Sequence, residues 1–128
     1  MERSRGRLTR SDDFVRVYRA GRSVANKFLV LYYFERPRSE GSAGSVGPRV
    51  GFSVSKRVGG AVERNSVKRA LREAFRSCSG SLQDAMDMVF VARTPLLELL
   101  EAEGAGGVKE KMVEVLSKAS LIEPGEER

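Results

Sequence analysis

The chain has 128 residues, 23 Lys/Arg against 17 Asp/Glu, a net charge of +6 and a pI near 9.9, with a single cysteine and no histidine. This length suits one domain with a modest core, and the basic balance favours an acidic partner, nucleic acid first. Lone Cys78 excludes an intrachain disulfide and fits a reducing compartment, while the missing histidine removes the commonest general base and transition-metal ligand.

Charge is unevenly placed. Residues 49–76 carry eight Lys/Arg and two Glu, and residues 1–22 carry seven Arg and three acids. Residues 77–128 carry five Lys/Arg and ten acids, so the basic surface belongs to the N-terminal half. No apolar run is long enough to span a membrane and no signal-peptide core follows the N-terminus, so a soluble, cytoplasmic protein is expected, with no membrane partner.

In chain order, residues 1–10 are Arg-rich without apolar periodicity and read as a basic arm. Ser11 suits a helix N-cap, with Asp12 and Asp13 favourable at the positive end of the dipole. Phe14, Val17 and Tyr18 follow as one stripe, for which core packing is the usual role, and Gly21 can end the helix. Val24-Ala25 suits a short strand. Phe28 to Phe34 (FLVLYYF) is β-branched and aromatic and predicts a well-buried strand. Period-2 alternation puts Phe28, Val30, Tyr32 and Phe34 on one face and Leu29, Leu31 and Tyr33 on the other. Residues 35–48, rich in Ser, Gly and Pro, read as a flexible loop. Arg49 to Ser55 alternates and reads as the next strand, and an antiparallel hairpin with Phe28–Phe34 is the simplest pairing.

Gly59-Gly60 breaks the chain before a helix over roughly residues 62–78. There Val67, Ala70, Leu71, Ala74, Phe75 and Cys78 fall in one arc of roughly 140°. Asn65, Lys68, Arg69, Arg72 and Arg76 fill the next arc of roughly 100°, with Arg64 beside it at the helix start. A helix that is merely solvated mixes Glu with Lys, whereas only Glu63 and Glu73 dilute this face, which suits a polyanion. Cys78, on the apolar arc, reads as a small buried side chain. Ser79 to Leu82 reads as a turn and Met86 to Ala92 (MDMVFVA) as a strand. A short helix is expected from Pro95 to Leu100, interrupted by Gly104, Gly106 and Gly107. An amphipathic helix through Val108, Met112, Val115, Leu116 and Ala119 follows, and then a frayed charged tail over residues 123–128. The order is α-β-β-β-α-β-α, one α+β domain over residues 1–128 without internal repeats.

No CxxC, GxxxxGK[ST] or Gly-x-Gly-x-x-Gly pattern occurs, and the C-terminal carboxylates sit mainly on helix faces, which argues against a self-contained enzyme or a small-molecule substrate. Cations beside Tyr32, Tyr33, Phe52 and the aromatics of the first helix are the mixture that holds single-stranded RNA, where cations track phosphates and rings stack on bases.

The stretch RVGFSVSKRVGGAVERNSVKRALREAFR resembles the signature of the bacterial ribonuclease P protein component. That family shows a Gly-aliphatic-Ser-Val-Ser-Lys strand end, a Gly-x-Ala-Val loop and an Arg-Asn-Arg helix with further Lys/Arg. DDFVRVYRAGRSVANKFLVLYY resembles the family's first helix, Gly turn and Val-Ala-Asn strand entry, and VFVART followed by a helix fits too, so the likeness spans about residues 7–120. Two features depart from it. The second Arg of Arg-Asn-Arg is Ser66 here, near Glu73 and Ser77 and off the basic arc, so RNA contact there is expected to be weaker. The loop over residues 35–48 is long for the family.

The resemblance implies an α/β sandwich whose central helix makes a left-handed crossover, against the general rule. It also implies that a partner RNA is the catalyst, its bound Mg²⁺ generating the hydroxide that cuts precursor tRNA, while the protein contributes no catalytic residue and no metal ligand. The protein would hold the single-stranded 5′ leader in a cleft of Phe14, Tyr18 and Tyr32, with Arg64, Asn65 and Lys68 at its edge. It would face the catalytic RNA with Arg64, Asn65, Lys68, Arg69, Arg72 and Arg76, preceded by Lys56 and Arg57. The competing readings are a generic RNA-binding protein, ribosomal or an assembly factor, and a protein-only nuclease, which would need a carboxylate cluster of which Glu63 is the only member near the basic helix.

Overall fold

A computed structural model describes residues 11–36, 48–78 and 86–121, without the side chains of residues 11–14. The basic arm, most of the 35–48 loop, the turn at Ser79–Leu82, the tail from Glu123 and the ring of Phe14 therefore lie outside the described residues.

Seven elements occur in the expected order: α1 Ser11–Ala20, β1 Arg22–Ala25, β2 Leu29–Glu35, β3 Arg49–Ser53, α2 Ala61–Cys78, β4 Met86–Ala92 and α3 Pro95–Lys118. The four strands form one sheet in the order β1-β2-β4-β3. β1 and β2 are an antiparallel pair, as are β2 and β4, whereas β3 runs parallel to β4. The simple β2–β3 hairpin is thus not formed: β4 lies between the two strands, and α2 carries the chain across from β3 to β4. The physical reason is burial. β4 is the most apolar strand, buried along nearly its whole length, and such a strand belongs where both edges are paired and both faces covered. Local alternation in β2 and β3 carries no information about a third strand supplied from 50 residues later.

The two faces of the sheet are covered differently. On one face Leu29, Leu31, Met88 and Phe90 pack with Val67 and Leu71 of α2 and Leu96, Val108, Met112 and Leu116 of α3, all of them fully or almost fully buried. Phe52, Phe75 and Phe90 meet there with ring centroids 5.9–6.3 Å apart, in the range of favourable aromatic contacts. On the other face α1 inserts Val17 against Val89, with Tyr32, Phe34 and Val91 around them. The expected alternation in β2 holds except at Phe28, which lies in the β1–β2 turn outside the strand and packs with the α2/α3 cluster.

Gly21 ends α1, and its N–H donates to the Val17 carbonyl at 3.1 Å. A Cβ there would press into the backbone carbonyl oxygens of Tyr33 and Val17, so glycine is what lets α1 turn directly onto β2. α3 is longer than expected because its two helical pieces join across Gly104 at φ 75°, ψ −166°, a conformation essentially restricted to glycine. Near the start of the inner strand β4, Asp87 is fully buried and accepts two hydrogen bonds from Arg49 at 2.9 Å each and a third from buried Arg36. Arg49 is the register partner of Asp87 on β3, and Arg36 follows the last residue of β2, so one carboxylate ties β2 and β3 to the strand between them. Among the described residues, no helix is long and apolar enough to cross a membrane.

Candidate nucleic-acid interface

The start of α2 is built by its own residues. Glu63 reaches back to accept the Gly60 N–H at 2.8 Å, the reciprocal half of a capping box, while the Arg64 N–H donates to the Gly60 carbonyl at 2.8 Å. Glu63 is therefore a helix brace. Among the described residues, no group of three or more His, Cys, Asp or Glu is placed to hold a metal ion. The Arg64 Nε donates to the Gly59 carbonyl at 3.2 Å, which fixes the guanidinium beside the loop and leaves its terminal nitrogens for another acceptor.

Along α2 the expected apolar arc is the buried one: Val67, Ala70, Leu71, Ala74 and Phe75 are buried and Cys78 is half-buried. Burial raises the Cys78 thiol above its ordinary pKa, an effect that outweighs the opposing field of Lys109. Asn65, Arg69, Arg72 and Arg76 are exposed, and Arg64 and Lys68 are partly covered. Lys56 and Arg57 stand exposed in the turn before the helix, where the Arg57 N–H donates to the Ser55 hydroxyl at 3.3 Å. Arg69 lies at the far border of the cationic arc. With Ser66, Glu63, Glu73, Leu97, Leu100 and Glu101 it lines a groove of about 410 Å³ between α2 and α3. Ser66 is exposed on that side, off the core and off the cationic arc.

The aromatics divide by face. Phe52 and Tyr33 pack with the α2/α3 core. Tyr32 points to the α1 side, where its ring meets Tyr18 edge-on at 4.9 Å between centroids. Tyr18 is 43% exposed, an unusual exposure for an aromatic on the inner stripe of a helix. Its phenol pKa is raised, first by partial burial and then by Tyr32 beside it, so the ring is neutral at neutral pH. Sequence reasoning missed Arg16, whose guanidinium lies 5.5 Å from the centre of the Phe34 ring and brings a cation to the same face. A contact between residues 18 apart in sequence on different elements leaves no periodic trace.

The result is a half-open tyrosine pair where α1 meets the sheet, and a cationic helix packed beside α3 on the opposite face. The chain belongs to the ribonuclease P protein family, whose model matches residues 2–119. It is 38% identical over 120 residues to the ribonuclease P protein component of Caldanaerobacter subterraneus subsp. tengcongensis, covering 94% of each chain. Its fold is similar to that of the Staphylococcus aureus RNase P protein, with a TM-score of 0.76 and 32% identity over 91% of this chain and 97% of that one. The RNase P protein of Thermotoga maritima is similar too, with a TM-score of 0.74 and 29% identity over 88% and 96% of the two chains.

Proposed function

We propose that this chain is the RNA-binding subunit of a cytoplasmic ribonuclease P. It docks on the catalytic RNA and holds the 5′ leader of precursor tRNA during Mg²⁺-dependent removal of that leader. The observation that carries this reading is the pairing of a carboxylate-free cationic arc on α2 with a half-open tyrosine pair between α1 and the sheet. Arg64, Asn65, Lys68, Arg69, Arg72 and Arg76, with Lys56 and Arg57, meet RNA phosphates. Phe14, Tyr18 and Tyr32 receive leader bases, and Arg64, Asn65 and Lys68 steer the strand at the edge of the cleft. Mg²⁺, held by the RNA, would supply the hydrolytic chemistry. Among the described residues Asp87 is the fully buried carboxylate, and two guanidinium groups occupy its oxygens.

Cleavage of a precursor tRNA by the catalytic RNA, with and without this protein, tests the reading: stimulation by the protein is expected, and a protein that binds RNA without stimulating cleavage is a generic RNA binder. The cleft is tested separately. Stacking on a ring is worth roughly 1–3 kcal/mol per base, so Tyr18→Ala or Tyr32→Ala is expected to weaken holoenzyme affinity for precursor tRNA by about 5- to 150-fold. Affinity for mature tRNA, which lacks the leader, stays unchanged. Equal losses for both tRNAs, with a lowered unfolding temperature, would make these rings ordinary core.

A further inference from the structure

A second cluster of cations lies at the opposite edge of the sheet from β3. The β1–β2 turn is held by a dense set of hydrogen bonds at Ala25, Asn26, Phe28 and Leu29. The Asn26 side-chain carbonyl accepts the N–H groups of Phe28 and Leu29 at 2.9 Å each. Its amide donates to the Lys111 carbonyl at 3.1 Å and to Glu114 at 2.7 Å. Arg93 donates to the Asn26 carbonyl at 3.1 Å, and Lys118 donates to the Ala25 carbonyl at 2.8 Å. The turn is thereby locked onto α3, whose residues 111, 114 and 118 share one face by helical spacing.

The ammonium groups around this platform have little structural work to do. The Nζ of Lys27 lies 5.9 Å from the centre of the Phe28 ring and that of Lys111 lies 5.5 Å from it. Among the described residues neither ammonium has a hydrogen-bond or ion-pair partner. Lys118 uses one of its three donors on Ala25 and is exposed. Four cations, Lys27, Arg93, Lys111 and Lys118, thus face one carboxylate, Glu114, which is already engaged by Asn26. The strand registers put this turn at the same end of the sheet as the β3–α2 loop that carries Lys56 and Arg57, since Leu29 pairs with Ala92 and Ser53 with Val91. Three inter-strand spacings of about 4.8 Å separate β1 from β3, a distance of roughly 14 Å along one rim.

We propose that the β1–β2 turn is a second phosphate-binding surface, on which Lys27, Lys111 and Lys118 grip the backbone of the catalytic RNA at the opposite end of the rim from α2. This rests on the proposed function. The choice of the catalytic RNA over the leader follows from Phe28: its ring packs with the α2/α3 core and already carries two ammonium groups, so this surface offers cations rather than a stacking platform. The tyrosine face for a single strand lies on the other side of the sheet.

The test is the salt dependence of binding to the catalytic RNA without tRNA, for the wild type and for the Lys27→Gln/Lys111→Gln variant. Each lost phosphate contact lowers the log–log slope by about 0.7–0.9, so the double variant is expected to lose roughly 1.4–1.8 and Lys27→Gln alone about half of that. Lys27→Arg/Lys111→Arg keeps the slope. An unchanged slope in a Gln variant with wild-type unfolding temperature overturns the proposal, as does a loss that appears only when precursor tRNA is added to the holoenzyme. The Arg64→Ala/Lys68→Ala variant run alongside separates the two claims. If it loses slope while the turn variants do not, only the second surface fails. If it too is unchanged and the protein does not stimulate cleavage, the functional reading itself fails.

Discussion

Asp87 shows how much one residue organises. It lies in an otherwise apolar strand, where a lone carboxylate would be expected at the surface, and yet it is fully buried because Arg36 and Arg49 arrive from the two neighbouring strands. Removing the carboxylate takes the shared acceptor from two guanidinium groups, one of them buried, so Asp87→Ala is expected to cost about 3–5 kcal/mol in urea unfolding. A loss within the 0–1 kcal/mol typical of an exposed pair would show that water reaches Arg36. This triad was invisible in the sequence: Arg36 fell at a loop margin and Arg49 at a strand end, and only the register joins them. The α2 residues were legible for the opposite reason. Helical spacing alone separates Val67 and Leu71 from Lys68 and Arg72, and burial follows that division residue by residue. The exposure of Tyr18 was not legible, because a ring on the inner stripe of a helix reads as core until the packing of α1 on the sheet is known.

At the scale of elements, two glycines set geometry in different ways. Gly21→Ala would drive a methyl into two backbone carbonyls, that of Tyr33, which yields only if α1 and β2 move apart, and that of Val17, which yields only if the last turn of α1 loosens, at an expected cost of about 1–3 kcal/mol. Gly104→Ala meets no atom at all, and its expected cost of about 1–3 kcal/mol comes from the backbone conformation alone. Equilibrium unfolding of both variants with crystallography of the first distinguishes the mechanisms: a displaced α1 is expected for Gly21→Ala, and a Gly104→Ala protein as stable as the wild type would show that the two pieces of α3 join freely. Element existence and order could be read from periodicity and breakers, since FLVLYYF, RVGFSVS and MDMVFVA each carry a strand signal of their own. Pairing could not. The β2–β3 hairpin was the shortest closure of a loop, and it lost to the burial of β4, a property of the whole sheet.

For the molecule as a whole, β4 is the strand through which everything else is joined. Among the described residues it is the strand paired with β3, and in the sheet it stands between β3 and the β1–β2 hairpin. This carries a consequence for the order in which the protein comes into being. A ribosome delivers β1, β2, β3 and α2 before β4, so the apolar faces of β2 and α2 leave the exit tunnel with no sheet to cover them, and the cationic arc is accessible to RNA before the fold that orients it exists. Nascent chains stalled before Met86 are expected to be digested throughout by a protease. Chains extended by an unstructured linker beyond Leu121 should show resistant fragments that contain β4. Protection that already appears in the shorter chains would mean that β3 and α2 fold on the hairpin without their keystone. Synthesis therefore exposes an interval of some 30 residues, at roughly 5–20 residues per second a matter of seconds, in which a basic helix and a half-built sheet depend on whatever partner reaches them first.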